Sequence, residues 1–203
     1  MDVKKQRNKS NLRTATTSMT TLAILMAAEV VLNLLEIHTA SIKINLAFIP
    51  VVIAAYLFGS AGSIVVYGLG DIVGCIVHPV GAWYPPITIT YALIGAVFGL
   101  LLKNNSSIIK TVIAVVINQF VISLFITTLW ISLLSYNTND TMFMEFYFTK
   151  VVLRLWQIGI MTAVQIVIIP PVLKSIERIP FVRSLSPYSS GQIAPKAPDS
   201  DIS

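Results

Sequence analysis

Long apolar stretches dominate this sequence and limit what it can fold into. A helix of about 20 apolar residues spans the hydrocarbon core of a bilayer, where lipid offers the backbone no hydrogen-bond partners. Of the 203 residues, 55% are hydrophobic and only 11% are charged. Soluble domains carry about 25% charged residues, so composition favours the membrane class. We therefore expect an all-α integral membrane protein with one helical bundle.

The apolar stretches predict six transmembrane helices, at residues 19–37, 44–58, 63–77, 87–102, 108–135 and 146–173. Residues 44–77 are too long for one crossing, and Gly59-Ser-Ala-Gly62 offers a place to turn. The second, third and fourth segments are short, and Pro50 interrupts the second. Such segments often mark a transporter's binding site, because irregular backbone at membrane depth is tolerated where it lines a cavity. The alternative is that the prolines only shape loops and kinks.

Lysines and arginines are concentrated in both terminal tails and in the 103–110 link. The positive-inside rule therefore places both termini in the cytoplasm. We expect a basic N-terminal tail at 1–17, a six-helix substrate-binding domain at 18–176 and a disordered C-terminal tail at 177–203. The net charge of +5 then reflects topology in the lipid bilayer, and no nucleic-acid partner is expected.

Motifs for catalysis and metal binding are missing from the sequence. It has no G-x-x-x-x-G-K-[ST] phosphate loop, no H-E-x-x-H, one cysteine and two histidines. We therefore expect no metal, no cofactor and no ATP hydrolysis by this chain. The motifs Gly70-x-x-x-Gly74 and Gly95-x-x-x-Gly99 instead predict small faces that let helices approach closely.

Asp71 is a lone carboxylate within the apolar stretch 67–74, shortly before the aromatic and proline-rich run 78–86. A charge at the centre of a membrane helix costs roughly 2.5 to 3.5 kcal/mol, so it persists where it pairs or meets a polar ligand. We expect Asp71 to bind a small molecule. A structural ion pair with Lys150 or Arg154 is the alternative.

Several motifs together resemble the substrate-binding S components of energy-coupling factor (ECF) vitamin transporters, most of all the folate family. They are Ser41-Ile-Lys-Ile-Asn-Leu-Ala-Phe-Ile-Pro50, Leu57-Phe-Gly59, Gly70-Asp-Ile-Val-Gly74, His78-Pro79, Gly81-Ala-Trp-Tyr-Pro85, Gly95-Ala-Val-Phe-Gly-Leu100, Asn118-Gln119, Trp130 and Arg154-x-x-Gln157-x-x-x-Met161-x-x-x-Gln165. The loop Pro79-Val-Gly-Ala-Trp-Tyr-Pro-Pro86 departs from the family's usual Pro-x-Gly-Pro-Tyr-Phe-Pro-Gly, with Trp83 and Pro86 in place of the expected residues.

The resemblance implies a subunit in the cell membrane of a prokaryote that captures a vitamin from outside. It also implies two kinds of partner, a transmembrane coupling protein (the T component) and two ABC-type ATPases, which hydrolyse ATP in place of this chain. The family's A-x-x-x-A motif, which contacts the coupling protein, matches Ala23 and Ala27. Packing within the chain is the alternative for this small face.

The folate interpretation gives the candidate residues specific roles. A pterin presents a ring N–H beside an exocyclic amine, so the ionised carboxylate of Asp71 can accept both. Tyr67 lies one helical turn before Asp71 and so shares its face of the helix. We expect the pterin ring to be sandwiched by Trp83, Tyr84 and Trp130. A cation should bind the glutamate tail. The predicted binding residues are Asp71, Tyr67, His78, Trp83, Tyr84, Lys43, Trp130, Lys150 and Arg154.

Purely structural roles are the alternative for several of these residues. The aromatic residues fit an interfacial belt, the lysines can reach to headgroups, and His78 can anchor its loop. Other functions also stay open at this point. They are an S component for another small vitamin such as pantothenate or a pyrimidine precursor, a membrane enzyme using Asp71 and His78, and a structural scaffold.

Overall fold

The computed structural model describes residues 2–39, 42–78, 83–135 and 143–178, with side chains for 15–36, 45–78, 83–134 and 143–178. The elements in chain order are α1 (Asp2–Leu34), β1 (Ile37–Thr39), β2 (Ile42–Ile44), α2 (Phe48–Val77), α3 (Pro85–Leu102), α4 (Ile108–Val116), a π-helical segment (Ile117–Thr127), α5 (Thr128–Ser135) and α6 (Phe143–Glu177). The π segment joins α4 and α5 without a break.

Within these ranges, five helical stretches are long and apolar enough to cross a membrane: Ala15–Leu34, Phe48–Val77, Pro85–Leu102, Ile108–Leu134 and Phe143–Glu177. The helical class predicted from the sequence is therefore confirmed. The count of six crossings and the cytoplasmic position of the termini stay predictions. The predicted boundary after residue 17 falls inside α1, and most of the predicted C-terminal tail lies outside the described residues.

The helix α2 is broken at Gly59, whose φ of 70° and ψ of −155° are non-helical. Glycine adopts positive φ without the steric cost that a β-carbon imposes, which explains the residue type at this break. The aliphatic part of the Lys103 side chain packs against Gly59, and the Asn104 amide donates to the Tyr56 carbonyl at 3.2 Å. The break divides α2 into a 48–58 arm and a 60–77 arm.

Contacts with α1 show how the two arms of α2 run. Leu22 meets Gly62 and Asn33 lies beside Gly74, so the 60–77 arm follows α1 in the same direction. Asn33 also accepts a 2.8 Å hydrogen bond from Asn45, just before the 48–58 arm begins. The first arm therefore starts where the second ends, and the chain reverses direction at Gly59. We call these two ends of the bundle the Asn33 end and the Gly59 end.

Two local predictions were wrong. The first segment was expected to run to Ile37, but α1 ends at Leu34 and Ile37 pairs with Ile44 in an antiparallel hairpin of β1 and β2. Its β-branched isoleucines and threonine favour strands over helix. Pro50 does not interrupt a helix, because it is the third residue of α2, within the first turn, where an amide N–H has no partner within the helix.

Close packing of α3 against the 60–77 arm confirms one of the predicted small faces. A β-carbon at Gly95 or Gly99 would overlap the backbone of Ser63 or Ser60. The Ser63 hydroxyl also donates to the Gly95 carbonyl at 2.7 Å, so this contact carries a hydrogen bond between helices. It holds Tyr67 of the arm beside Tyr91 of α3, which positions the site described next.

Candidate functional site

A cavity of about 260 Å³ lies between α1, both arms of α2, α3, the π segment, α5 and α6. Its wall is formed by Asn33, Glu36, Asn45, Phe48, Tyr67, Ile87, Tyr91, Ile94, Phe98, Asn118, Gln119, Ser123, Thr127, Ile131, Arg154, Gln157, Ile158, Met161 and Gln165. The wall combines aromatic and apolar side chains with about as many polar ones, and a concave pocket with convergent polar groups is the usual form of a small-molecule site. This cavity is therefore the candidate site.

Two tyrosines form an aromatic part of the wall. The ring centroids of Tyr67 and Tyr91 lie 4.8 Å apart with an interplanar angle of 42°. One ring comes from the 60–77 arm and the other from α3, so the close glycine packing of these helices sets the geometry. Aromatic rings so placed offer stacking or edge contacts to a planar ligand.

Asp71 is buried, with 9% of its surface exposed, but it is not among the residues of the cavity wall. Its Oδ2 accepts a 2.5 Å hydrogen bond from the hydroxyl of Thr88 on α3. The same hydroxyl accepts the indole N–H of Trp83 at 3.0 Å. Asp71, Thr88 and Trp83 therefore form a chain of hydrogen bonds that gives the buried carboxylate a partner within the described structure. Direct contact between Asp71 and a ligand stays a prediction.

The alternative role of Asp71, an ion pair with Lys150 or Arg154, is not supported, because both cations contact other side chains in the described structure. Arg154 lies on the cavity wall and donates to the Thr128 hydroxyl at 3.0 Å. The Lys150 ammonium lies 5.2 Å from the centre of the Phe146 ring, an arrangement typical of a cation–π contact. Of the wall residues that the structure describes, Arg154 is the one that carries a permanent positive charge.

The other predicted site residues are placed around the Asn33 end, off the wall. His78 follows α2 and is exposed, and the Trp83 side chain is 52% exposed. The rings of Tyr84 and Trp130 meet edge to face at 6.4 Å. Lys43 lies in β2, but its side chain is outside the described residues. Of the nine predicted residues, the cavity wall thus includes Tyr67 and Arg154.

The amide side chains of the wall were not predicted as binding residues. Asn118 and Gln119 were noted in the sequence as part of a family pattern, and so were Gln157 and Gln165. All four line the cavity. The spacing in α6 was the available signal, because Arg154, Gln157, Met161 and Gln165 recur every three or four residues and so share one helical face.

The π segment provides a polar part of the same wall. Asn118, Gln119, Ser123 and Thr127 all belong to it and all line the cavity. The Thr127 hydroxyl donates to the carbonyl of Ile122, five residues earlier, at 3.3 Å. Interruptions of this kind within helices are frequent at functional sites, and here the interruption coincides with the cavity.

A second buried carboxylate, Glu29 of α1, lies away from the cavity wall. Its side chain is 0% exposed and packs against Gly70, where a β-carbon would overlap the carboxyl group. Neither carboxyl oxygen has a hydrogen-bond partner among the residues that the structure describes. Gly70 therefore makes room for Glu29, which confirms a close helix contact at the second predicted small face.

Ala23 and Ala27 are both exposed on α1. This exposure does not support the alternative that they pack within the chain. Their contact with a coupling protein stays a prediction. Across the described part of the chain, no group of three or more histidine, cysteine, aspartate and glutamate side chains is arranged to hold a metal ion.

The fold and the cavity together define a membrane-embedded helical bundle with an internal cavity lined by aromatic and polar side chains. The family model described as "ECF transporter, substrate-specific component" matches residues 17–177, and the chain belongs to this family. It is thus a multi-pass membrane protein of a transport system. The sequence is 27% identical over 171 residues to the folate transporter FolT of Clostridium novyi (strain NT), covering 83% of this chain and 94% of that protein.

A solved structure has a similar fold. The crystal structure of FolT bound with folic acid matches with a TM-score of 0.68 at 24% identity, covering 82% of this chain and 95% of that chain. The similarity confirms the helical fold that the resemblance implies, while the count of six crossings stays a prediction.

Proposed function

We propose that this chain is the substrate-binding subunit of an ATP-driven ECF importer and that its cargo is folate or a related pterin. The observation that carries the proposal is the cavity, which combines a tyrosine pair, several amide side chains and one arginine. The Clostridium novyi relative is a folate transporter and the similar crystal structure holds folic acid, and both support the same cargo.

The positions of the wall residues agree with the shape of folate. The Tyr56 hydroxyl donates to Glu177 at 3.2 Å, which places the C-terminal part of α6 near the Gly59 end. Arg154 precedes Gln165 in α6 and so lies closer to the Asn33 end. At 1.5 Å per residue, Arg154 and Gln165 are separated by about 16 Å along the helix. An extended folate has a similar length, with a planar pterin at one end and carboxylates at the other.

In this arrangement the pterin lies toward Gln165 and the glutamate tail lies toward Arg154. A guanidinium group suits a carboxylate because its N–H donors match both carboxylate oxygens. We also propose that the residues outside the wall at the Asn33 end form the route of entry. They are Asp71, His78, Trp83, Tyr84, Trp130, Lys43 and Lys150.

The partners proposed for this subunit are a transmembrane coupling protein and two ABC-type ATPases. Membership of the ECF family supports this division of work, and the absence of a phosphate loop from the sequence agrees with it. We place the chain in the cytoplasmic membrane of a prokaryote. No observation favours the enzyme alternative, since His78 is exposed and the described hydrogen bond of Asp71 is to Thr88.

A ligand panel measured on the purified chain tests the cargo. Folate, pantothenate and a pyrimidine nucleoside are added to the protein, and the change in melting temperature is recorded. A ligand at 1,000 times its dissociation constant stabilises the folded state by about 4 kcal/mol. We expect a saturable rise with folate and none with the other two. A rise with pantothenate or the nucleoside, and none with folate, would refute the proposal.

A further inference from the structure

Two amide oxygens on the cavity wall lack a hydrogen-bond partner. Asn118 is 2% exposed, and its Nδ2 donates to the carbonyl of Ile94 at 3.3 Å. This bond fixes the orientation of the amide, so Oδ1 is the acceptor left over. Gln165 is 6% exposed. Neither Asn118 Oδ1 nor Gln165 Oε1 has a partner within the described ranges.

An unpaired acceptor in a buried position is unfavourable. Leaving such a group without a hydrogen bond costs about 1 to 3 kcal/mol, and a ligand that supplies a donor removes this cost. Both residues line the same cavity, one from the π segment and one from α6. A neutral amide oxygen suits a neutral N–H donor, so two such acceptors on one cavity wall suit a ligand that presents two N–H donors.

We infer that Asn118 and Gln165 accept the hydrogen bonds of the cargo's aminopyrimidine edge, which is the ring N–H and the exocyclic amine of a pterin. This inference rests on the proposed function and adds the residues that determine specificity. It replaces the carboxylate of Asp71 in that role, because Asp71 is off the wall and already accepts from Thr88.

The inference predicts that these residues distinguish ligands by the exocyclic amine. A matched pair of ligands is folate and the analogue whose 2-amino group is replaced by hydrogen. Dissociation constants for both are measured by titration calorimetry on the wild-type chain, Asn118→Leu and Gln165→Leu. Phe120→Leu is the control, because Phe120 belongs to the same π segment but is 39% exposed and off the wall.

The quantity compared is the ratio of the two dissociation constants within each variant. The wild-type chain is expected to prefer folate by about 10-fold or more, since one lost hydrogen bond leaves an acceptor unpaired. Leucine at whichever of positions 118 and 165 accepts from the exocyclic amine should bring this ratio close to 1. Leucine at the other position should weaken both ligands together, and Phe120→Leu should keep the wild-type ratio and affinities. A merely structural role would weaken both ligands equally and leave the ratio unchanged.

Each result is decisive. An unchanged ratio in both leucine variants overturns the inference, as does a wild-type chain that binds the two ligands equally, and in these cases folate binding itself still stands. If the ratio of the two dissociation constants falls close to 1 in Asp71→Asn instead, Asp71 is the residue that binds the exocyclic amine. A wild-type chain that does not bind folate refutes the proposed function and with it the inference. If a leucine variant fails to fold, Asn118→Ala and Gln165→Met provide the same comparison with smaller changes.

Discussion

Replacing Arg154 by glutamine should selectively weaken the binding of ligands that carry a glutamate tail. Arg154 lies on the cavity wall, where its guanidinium group donates to the Thr128 hydroxyl at 3.0 Å. A guanidinium group has five N–H donors, and within the described residues this hydrogen bond uses one of them, which leaves others for a carboxylate. Hydrogen bonds that involve a charged group contribute about 1.5 to 3 kcal/mol, which corresponds to about 10- to 150-fold in the dissociation constant.

The assay compares folate with a pterin that lacks the aminobenzoyl-glutamate tail. Dissociation constants for both ligands are measured by titration calorimetry on the wild-type chain and on Arg154→Gln. We expect folate to lose about 10- to 150-fold in affinity and the tail-less pterin to lose much less, because its head lies near Gln165. Lys174→Gln is the matched control, since Lys174 is another cation of α6 that is exposed and off the wall. Equal losses for the two ligands would refute the assignment of Arg154 to the tail.

Three further predictions concern other parts of the bundle. Asp71→Asn should change the folate dissociation constant by less than about 3-fold, as measured by the same titration, whereas a loss of 10-fold or more would support the sequence-based role. Gly70→Ala should destabilise the chain by about 1 to 3 kcal/mol in a thermal unfolding assay, because its β-carbon meets a buried carboxyl group. Gly68→Ala is its control, since there the β-carbon makes an ordinary contact of 3.5 Å, and equal effects of the two changes would contradict the reasoning. Replacing Ala23 and Ala27 by leucine should abolish co-purification with the coupling protein while folate binding is retained; intact co-purification would place that contact elsewhere.

The transmembrane helices could be predicted because their signal is local. Lipid contact requires continuous apolar stretches, so the segments 87–102 and 108–135 correspond closely to α3 and to the α4–α5 helix. The turn in the long stretch 44–77 could also be placed, because glycine marks the break. The hairpin of β1 and β2 was missed, since its strands are only three residues long and their outer isoleucines, Ile37 and Ile44, continue the apolar segments on either side.

The site was harder to predict because it depends on contacts between distant segments. Asp71 attracted attention as a lone carboxylate, but its partner Thr88 lies on another helix, 17 residues later. Asn118 and Gln165 are polar residues within apolar helices, and their sequence context does not distinguish a bond between helices from a bond to a ligand. Only the packed bundle reveals that their oxygens are buried without partners in the described structure. Tyr67 could be found because it lies one helical turn before Asp71, and Arg154 because an anionic tail needs a cation.

The most direct test of the account is a structure of this chain determined with folate bound. The account predicts the pterin ring in the cavity, with its amine and ring N–H within hydrogen-bond distance of Asn118 and Gln165 and its carboxylates near Arg154. A pterin held by Asp71 outside the cavity, or folate bound at another surface of the bundle, would contradict it.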